Sequence, residues 1–593
     1  MKKNGVLILN KISEQYAIFD YDGTLTTNDT FSELLKYVYG TCNFYIVQFF
    51  LMPFAGLMHI GLFSNRNFKN LQLNLLGKFR FISGETLTEV STRWAEKNVF
   101  RFLNFGAVER LLEHQRVGIQ VVIISATPSI LINEFAKLFN VTHVLAGKLT
   151  SRKNKPLIVS APFGRGKVKI LRETFDLKNS EFLYGYGDSP QDRYFLKITR
   201  EMAKRRIPLV ESVVMLNGDS RKAHDVVTDI NRTTDNIVVQ SPSYFSAIRL
   251  SRNTRSFLQR ELDGEFLNWL LSQQSSTRPV IVPLEESGVK FLLKNQLALR
   301  KKYDFLIPKE RAFDTANDKF ETWRVAKSLQ IPVPATVEID LNHDKWAEFI
   351  LRPGSVIKPR CGQGSSGIRY TDSLPSNFSL SDHQSEYGPL LLQDRIPENG
   401  RIVGTSFLYD SDGQCLLEFC HQRDKQYPTT GGPGTRCSSV QNQQLLDRSK
   451  MLMEEIGWSG PVMVEWKYDS RIDDYVLLEI NPRFWGSIGL AISCGASFPS
   501  AYVLACKGKY DPRFFSVINH GKWSWLFPGE ILRYVAECRT GANESLDEFL
   551  RDSVLPAINK IPDDPVYGLL SPAYILVDSL LDKNKRKKIF AVR

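Results

Sequence analysis

The chain has 593 residues, too many for one hydrophobic core, so two to four domains are expected. Its eight cysteines form no CxxC pair and have no histidines at ligand spacing, which excludes a zinc site or disulfide framework and indicates a reducing compartment. The net charge of +12 favours acidic partners such as nucleotides, phosphate esters or an anionic membrane face.

The first predicted element is a buried parallel strand over residues 16–19, which are apolar. It ends at Asp20, the first residue of an Asp-Tyr-Asp-Gly-Thr sequence. Open α/β sheets place ligands at the carboxyl ends of their strands, so we expect Asp20 and Asp22 to lie at a binding site. Carboxylates two residues apart on a strand point the same way and repel each other unless a cation such as Mg²⁺ lies between them. The alternative to a binding site is that this sequence forms only a structural turn.

Three further segments carry polar side chains at predicted element ends. The strand over residues 121–124 ends at Ser125, whose hydroxyl and neighbouring N–H groups can hold a phosphoryl oxygen. Lys167 begins a helical pattern and would bring an ammonium group to the same pocket. A third strand leads to Asp188 and Asp192. Each feature alone is common on protein surfaces, but all of them in this order indicate a phosphate site.

In this order the motifs resemble the haloacid-dehalogenase-like (HAD-like) phosphatases, over residues 15–200. The resemblance implies that Asp20 is a nucleophile forming an aspartyl-phosphate and that Asp22 is the general acid and base. It also implies that Ser125 and Lys167 bind and neutralise the phosphoryl group. The ligands implied for Mg²⁺, or for Mn²⁺ in its place, are Asp20, Asp22, Asp188 and Asp192.

Residues 44–63 form an apolar insert that is long enough, at about 20 residues, to cross a membrane. Asp20 and Ser125 must share one sheet, which excludes a single crossing, and Pro53 and Gly56 predict a break in any straight helix. Two alternatives stay open: a helical cap with buried apolar faces, or a shallow hairpin in a membrane surface. With the amphipathic pattern that follows, the insert resembles the cap of the phosphoserine phosphatase and phosphatidylglycerophosphatase-type subgroup, which favours an amphiphilic phosphomonoester.

The second half begins with short predicted strands at 213–216, 237–239 and 280–283, which indicate a small Rossmann-like unit. A helix is predicted from Lys319, after Asp318. The strand over 355–359 carries an inward Lys358, and a glycine- and serine-rich loop that could cover a triphosphate follows it, with Gly364, Ser365, Ser366 and Gly367.

Three more strands complete a predicted nucleotide site. One is a hinge strand offering backbone groups to adenine at Gln393, Asp394 and Ile396. The other two bear acids: Glu465 lies on one, and alternation puts a carboxylate, an amide and a guanidinium on one face of the next. Such a face can bind Mg²⁺ and stabilise negative charge. The residues of this face are Glu479, Asn481 and Arg483.

This half resembles the ATP-grasp superfamily, in particular the carbamoyl-phosphate-synthase-like carboxylate–amine ligases, over residues 210–510. The resemblance implies that ATP phosphorylates a carboxylate and that an amine then displaces phosphate, leaving ADP. It assigns Lys319 and Lys358 to ATP phosphates and Arg483 to the transferring phosphoryl group, with Glu465, Glu479 and Asn481 as metal ligands. Arg423 and Arg436 are candidate carboxylate clamps, with exposed salt bridges as the alternative.

The predicted fold class is α/β multidomain. It comprises a Rossmann-like HAD domain at 1–205 with a helical, apolar cap at about 30–105, a pre-ATP-grasp Rossmann-like unit at 206–310, an α+β ATP-grasp domain at 311–510, and a helical appendage with a basic tail at 511–593.

The predicted function is a bifunctional, Mg²⁺- and ATP-dependent phosphatase and ligase acting in one biosynthetic pathway on a small phosphomonoester, a carboxylate and an amine. Two alternatives stay open: only one half is catalytic and the other senses nucleotide or phosphate, or the phosphatase half is a membrane-associated lipid-phosphate phosphatase. No nucleic-acid-binding module is recognisable. The apolar run after the N-terminus is too short for export, so a cytoplasmic location is expected, with peripheral contact to the inner membrane face left open.

Overall fold

The structure, a computed structural model, describes residues 14–59, 63–77, 87–152, 155–176, 180–203, 207–341, 354–362, 367–397, 400–429, 431–515, 517, 521–541, 544–555 and 564–581. The chain divides into an N-terminal unit, Met1–Val210 with Arg232–Thr234, and a C-terminal unit, Glu211–Asn231 with Asp235–Arg593. The predicted mixed α/β, multidomain fold is confirmed. Among the helices of the described residues, none has the length and apolar character needed to span a membrane.

A six-stranded sheet organises the N-terminal unit, in the order β4-β3-β2-β1-β5-β6. All neighbours are parallel except β3 and β4. The central strand β1 pairs Ile18 with Val122 on one side and with Gly185 on the other, so the carboxyl ends of three strands meet at one edge. The strands are β1 (Glu14–Phe19), β2 (Gln120–Pro128), β3 (His143–Arg152), β4 (Lys155–Ser160), β5 (Ser180–Tyr186) and β6 (Glu201–Ala203).

Eight helices are described in this unit, and the first four form the predicted cap. The apolar faces of the cap helices pack on one another, with Phe31, Leu51, Leu73 and Trp94 in a common core. The helices are α1 (Thr30–Tyr39), α2 (Thr41–His59), α3 (Asn65–Leu76), α4 (Leu87–Asn98), α5 (Phe105–Arg116), α6 (Ser129–Leu138), α7 (Arg165–Thr174) and α8 (Arg193–Leu196).

The helix α2 corrects one expectation, because it continues through Pro53 and Gly56 instead of breaking there. Pro53 lacks the N–H that would bond to the carbonyl of Phe49, and both residues are exposed, so water can satisfy that carbonyl. The opposite face, with Phe44, Val47 and Leu51, is buried in the cap.

The C-terminal unit begins with a parallel four-stranded sheet in the order β10-β7-β8-β9. The chain moves outward from β7 to β9 and returns to the other side of β7, so the direction of strand order reverses between β7 and β10. The carboxyl ends of β7 and β10 therefore flank the crevice where such sheets bind ligands. The strands are β7 (Val213–Leu216), β8 (Ile237–Ser241), β9 (Ser256–Gln259) and β10 (Val280–Pro283).

Two antiparallel sheets follow, in the orders β11-β14-β12-β13 and β19-β18-β15-β16-β17-β20. In the larger one Glu465 lies directly opposite Glu479. The strands are β11 (Thr336–Glu338), β12 (Ser355–Pro359), β13 (Arg369–Tyr370), β14 (Leu390–Asp394), β15 (Ile402–Tyr409), β16 (Cys415–Gln426), β17 (Gly434–Ser439), β18 (Gly460–Asp469), β19 (Asp474–Asn481) and β20 (Lys522–Ser524).

The helices of the C-terminal unit cover these sheets. Asp318 caps α13 by accepting backbone hydrogen bonds, as its position before the helical pattern predicts. The helices are α9 (Ala223–Ile230), α10 (Gly264–Ser272), α11 (Glu286–Leu299), α12 (Glu310–Asn317), α13 (Lys319–Ser328), α14 (Leu380–Tyr387), α15 (Gln443–Ile456), α16 (Ile488–Ser493), α17 (Phe498–Cys506), α18 (Ile531–Thr540), α19 (Leu546–Phe549) and α20 (Pro565–Leu581). Among the described residues after 510, the regular structure is helical except for β20, which extends the larger sheet.

Candidate active sites

Asp20 lies where β1 ends, and a buried lysine holds its carboxylate. Lys167 Nζ, on α7, is 2.8 Å from Asp20 Oδ1 and 2.7 Å from Asp192 Oδ1. The backbone N–H of Tyr21 also donates to Asp20 Oδ1, at 2.8 Å. Burial would lower the pKa of Lys167, but the two carboxylates outweigh burial and raise it. The ammonium group therefore stays charged at the centre of the site.

Three carboxylates converge beside this lysine. Ligand oxygens of Asp20, Asp188 and Asp192 lie within 4.8 Å of one another. Gly23 permits this approach, because it has a φ of +78° and a Cβ there would lie 2.3 Å from Asp188 Oδ2. Three hard oxygen ligands on strand ends fit Mg²⁺ or Mn²⁺, and the mutual repulsion of the acids favours a bound cation.

The carboxylate of Asp22 does not join this cluster, which differs from the expectation that it would share the cation with Asp20. The strand ends at Phe19 and a turn over Tyr21–Leu25 follows, so the alternation of a strand does not apply to Asp22. Its Oδ1 accepts hydrogen bonds from Thr30, from N–H at 2.9 Å and from Oγ1 at 2.8 Å. Its Oδ2 accepts one from the Thr127 hydroxyl.

Burial raises the pKa of both acids of the turn. It raises that of Asp20 to about 7, against the opposing charge of Lys167. It raises that of Asp22 to about 6, with repulsion from Asp29 adding to the effect and the bonds from Thr127 and Thr30 opposing it. Asp22 can therefore exchange a proton near neutral pH.

Ser125 is buried in β2, where its hydroxyl oxygen accepts a hydrogen bond from Thr127 N–H at 3.1 Å. Sequence reasoning missed two neighbours, Thr127 and Lys69. Lys69, on the cap helix α3, is buried and donates to the carbonyl of Ala126 at 3.0 Å. Burial lowers its pKa against the raising effects of Asp29, Asp22 and Asp20. Lys69 resembles a surface lysine in the amphipathic pattern, so nothing in the local sequence identified it.

The C-terminal unit contains a cavity of about 640 Å³, within the usual range for small-molecule sites. Its lining brings together seven of the predicted nucleotide-site residues: Lys319, Lys358, Gln393, Asp394, Ile396, Glu465 and Glu479. Gly364, Ser365 and Ser366 lie outside the described residues. Gly367, Asn481 and Arg483 are described but do not line the cavity.

Opposite charges face each other in this cavity. Lys319 Nζ is 3.6 Å from Glu479 Oε2 and donates to the carbonyl of Gly362 at 2.9 Å. Burial lowers the pKa of Lys358 to about 8, and the charge of Lys319 adds to the effect. Burial would raise the pKa of Glu479, but Lys319 and Lys358 outweigh it and lower that pKa. Two adjacent carboxylates with two lysines fit a magnesium-bound polyphosphate.

Arg483 is held by two acids at the start of α11. Its Nε lies 3.1 Å from Glu285 Oε2 and 3.5 Å from Glu286 Oε1, and Nη2 donates to Asn481 at 3.2 Å. Glu285 also accepts from Lys222 Nζ at 2.7 Å, in the crevice between the ends of β7 and β10. Glu285 and Lys222 were missed, although both follow predicted parallel strands.

The two candidate carboxylate clamps are both engaged by acids of the chain. Arg423 Nη2 lies 2.5 Å from Glu465 Oε1, at the cavity. Arg436 is buried, with Nη2 at 2.9 Å from Glu530 and 2.6 Å from Glu544. Arg436 therefore fits neither alternative, because it is not exposed and its guanidinium is already paired with acids of the chain.

Two regions of the chain match models of known protein families. Residues 17–197 match the family model for haloacid dehalogenase-like hydrolases, and residues 417–522 match a model described as ATP-grasp in the biosynthetic pathway with Ter operon. No match was found among curated proteins.

Several solved structures are similar at low identity. N5-carboxyaminoimidazole synthetase from Staphylococcus aureus is 16% identical, with a TM-score of 0.40, covering 53% of this chain and 79% of that one. Biotin carboxylase from Campylobacter jejuni is 14% identical, with a TM-score of 0.42, covering 53% and 74%. The biotin carboxylase domain of 2-oxoglutarate carboxylase from Hydrogenobacter thermophilus is 16% identical, with a TM-score of 0.43, covering 53% and 73%. The chain is thus similar to HAD-like hydrolases over residues 17–197 and to an ATP-grasp family over residues 417–522.

Proposed function

We propose that the protein is a bifunctional enzyme, a HAD-type phosphomonoesterase joined to an ADP-forming carboxylate–amine ligase. The observation that carries the proposal is that each unit gathers carboxylates and lysines at one site. In the N-terminal unit Lys167 bridges Asp20 and Asp192 beside Asp188. In the C-terminal unit Glu465 and Glu479 share a cavity with two lysines.

In the phosphatase site the hydrogen bonds of each residue indicate its role in the reaction. Lys167 and the Tyr21 N–H both hold Asp20 Oδ1, so we assign the attack on phosphorus to Oδ2. Thr30 and Thr127 orient Asp22, which in its protonated form gives a proton to the leaving oxygen. The resulting carboxylate then takes a proton from the water that hydrolyses the aspartyl-phosphate. Bound Mg²⁺ would neutralise the acids and polarise the phosphoryl oxygens.

In the ligase site Lys319 and Lys358 would bind the phosphates of ATP, and Glu465 and Glu479 would hold Mg²⁺, which supplies charge neutralisation at the transferring phosphoryl group. The roles of Asn481 as a metal ligand and of Arg483 at the transferring phosphoryl group are proposed from the family resemblance alone. Glu285 and Glu286 orient Arg483, and they would have to share it with a reacting anion.

The phosphatase half is tested by hydrolysis of p-nitrophenyl phosphate. Asp20→Asn should lower kcat by more than about 1,000-fold, since the nucleophile is lost, and removal of Mg²⁺ with a chelator should abolish the wild-type rate. Glu173→Gln, which changes an exposed carboxylate on α7, is the matched control and should leave the rate unchanged. Undiminished hydrolysis by Asp20→Asn would remove Asp20 as the nucleophile.

The ligase half is tested by ADP release in a screen of carboxylates and amines. Release should require both an acid and an amine in the same reaction, and Glu479→Gln should abolish it. The exposed Glu455, on α15, provides the control Glu455→Gln. ADP release with no need for an amine would indicate a different bond or only a phosphorylated product.

A second candidate for the N-terminal half is hydrolysis of an amphiphilic phosphomonoester. It is favoured by the exposed apolar face of α2, which carries Ile46, Phe49, Phe50 and Met52. The test compares kcat/KM for alkyl phosphates of increasing chain length. A rise with length that disappears in Phe49→Ser/Phe50→Ser supports this candidate, and a flat series contradicts it.

A further inference from the structure

An ordinary surface helix turns its apolar face to the core and its polar face to solvent, and α20 does the reverse. Every exposed residue of the helix is apolar, and seven aliphatic side chains on it are 37% to 67% exposed. Their spacing follows the helical period, so they form one strip along the whole length. The seven residues are Val566, Leu569, Leu570, Leu576, Val577, Leu580 and Leu581.

Polar contacts fix the opposite face of α20 to its own unit. Asp578 accepts a hydrogen bond from Ser243, and the preceding Asp564 accepts one from Ser251 at 2.6 Å. Tyr567 stacks on His224 with ring centroids 3.8 Å apart. The helix is therefore held with its aliphatic side outward. Burial of these exposed aliphatic side chains is favourable, so the strip favours a covering surface.

The chain that follows α20 indicates which surface this is. After Asp582 the sequence contains no acid and six cations, all outside the described residues: Lys583, Lys585, Arg586, Lys587, Lys588 and Arg593. A basic segment next to an apolar helical strip is complementary to anionic lipid headgroups over acyl chains. A second copy of the chain could offer an apolar strip, but its own tail is equally basic and supplies no acidic partner.

The dimensions of α20 agree with a helix that lies in the plane of a membrane. Its 17 residues extend about 25 Å, and the opposite face is bound to protein, so the helix contacts lipid along one side only. We infer that the outward strip of α20 forms a docking surface for an anionic lipid membrane. This attachment is independent of either proposed reaction.

Vesicle pelleting of the full-length protein tests the inference. Vesicles of phosphatidylcholine mixed with phosphatidylglycerol should pellet the protein, whereas phosphatidylcholine alone should pellet much less. Leu569→Ser/Leu576→Ser/Leu580→Ser should weaken binding at least about tenfold, because three apolar anchors leave the strip. Lys585→Gln/Lys587→Gln/Lys588→Gln should weaken it by a similar factor and reduce its salt dependence.

Two control variants keep this test specific. Leu297→Ser changes an exposed leucine on α11, and Phe49→Ser/Phe50→Ser changes the apolar face of α2. Both should pellet like the wild type. The inference is overturned if the triple leucine variant still pellets fully, if only the α2 variant loses binding, or if neutral vesicles bind equally well. It is also overturned if the leucine changes abolish a dimer, measured by light scattering, without any vesicle binding.

Discussion

At the scale of single residues, burial decides what the acids of the N-terminal site can do. Asp22 accepts hydrogen bonds from Thr30 and Thr127, and burial raises its pKa to about 6. Asp20 is equally buried, and its pKa rises to about 7 although Lys167 opposes the rise, so a cation bound with Asp188 and Asp192 would favour the ionised carboxylate that attacks. The two acids thus differ in their partners, because Lys167 and the cation cluster lie against Asp20, whereas Thr30 and Thr127 bond to Asp22.

The pKa of Asp22 predicts a dependence of rate on leaving group and pH. Alkyl phosphates need a proton on the leaving oxygen, so Asp22→Asn should slow them by about 100- to 10,000-fold and p-nitrophenyl phosphate much less. With Mg²⁺ bound and Asp20 ionised, the wild-type kcat/KM for alkyl phosphates should fall as the pH rises above about 6, because the protonated fraction of Asp22 declines. Equal losses for both substrates would contradict an acid role for Asp22.

Lys69 predicts a preference for substrates with a second anionic group. Its buried ammonium reaches the Ser125–Thr127 segment from the cap, so it can contact the part of the substrate beyond the phosphate. Lys69→Met should raise KM about tenfold for phosphomonoesters that carry a carboxylate, with a smaller change for p-nitrophenyl phosphate. Steady-state kinetics measure this, with Lys169→Met, at an exposed lysine, as the control. An equal rise in KM for both substrates would indicate a purely structural role.

At the scale of elements, a buried ion network joins α18 to the larger sheet. Arg533 Nε lies 2.9 Å from Glu530 Oε1, and Arg436 Nη2 lies 2.9 Å from Glu530 Oε2. Burial would raise the pKa of Glu530, but bonds from Arg533 and Ser553 outweigh burial and lower it to about 2. Both partners of each pair are needed, because a single charge left in this interior would be costly.

The network predicts a pH-dependent loss of stability in Glu530→Gln. The folded pKa of Glu530 is about 2 and its ordinary value is 4.5, so the carboxylate contributes about 3 kcal/mol above pH 4.5 and less as the pH falls toward 2. The variant should therefore lower the melting temperature of the C-terminal unit most near neutral pH. Calorimetry from pH 7 to acid, with Glu455→Gln as control, measures the difference. A deficit independent of pH would contradict the role of the charge.

The sequence predicted elements best where the pattern was local. Buried parallel strands are continuous apolar runs, so β7 and β10 were predicted at their observed bounds, and the antiparallel β12 was also predicted at its bounds. The strand β9 was missed, because Ser256–Gln259 is short and half-exposed at a sheet edge. The role of Arg436 could not be predicted, because its partners Glu530 and Glu544 lie about a hundred residues away along the chain.

At the scale of the whole molecule, each unit holds the residues of its own site. The phosphatase residues lie in the N-terminal unit, and the cavity of the ligase lies within the C-terminal unit. The two sets of motifs in the sequence indicated two such halves, but the ion pairs inside each site depend on tertiary contacts that a single sequence does not display. The account therefore requires that one activity can be removed without the other.

The most direct test measures both activities on Asp20→Asn and Glu479→Gln. Asp20→Asn should lose hydrolysis of p-nitrophenyl phosphate and keep acid- and amine-dependent ADP release at the wild-type rate. Glu479→Gln should show the opposite pattern, since its carboxylate faces only the C-terminal cavity. The account is contradicted if Asp20→Asn hydrolyses the ester normally, or if Glu479→Gln releases ADP as the wild type does.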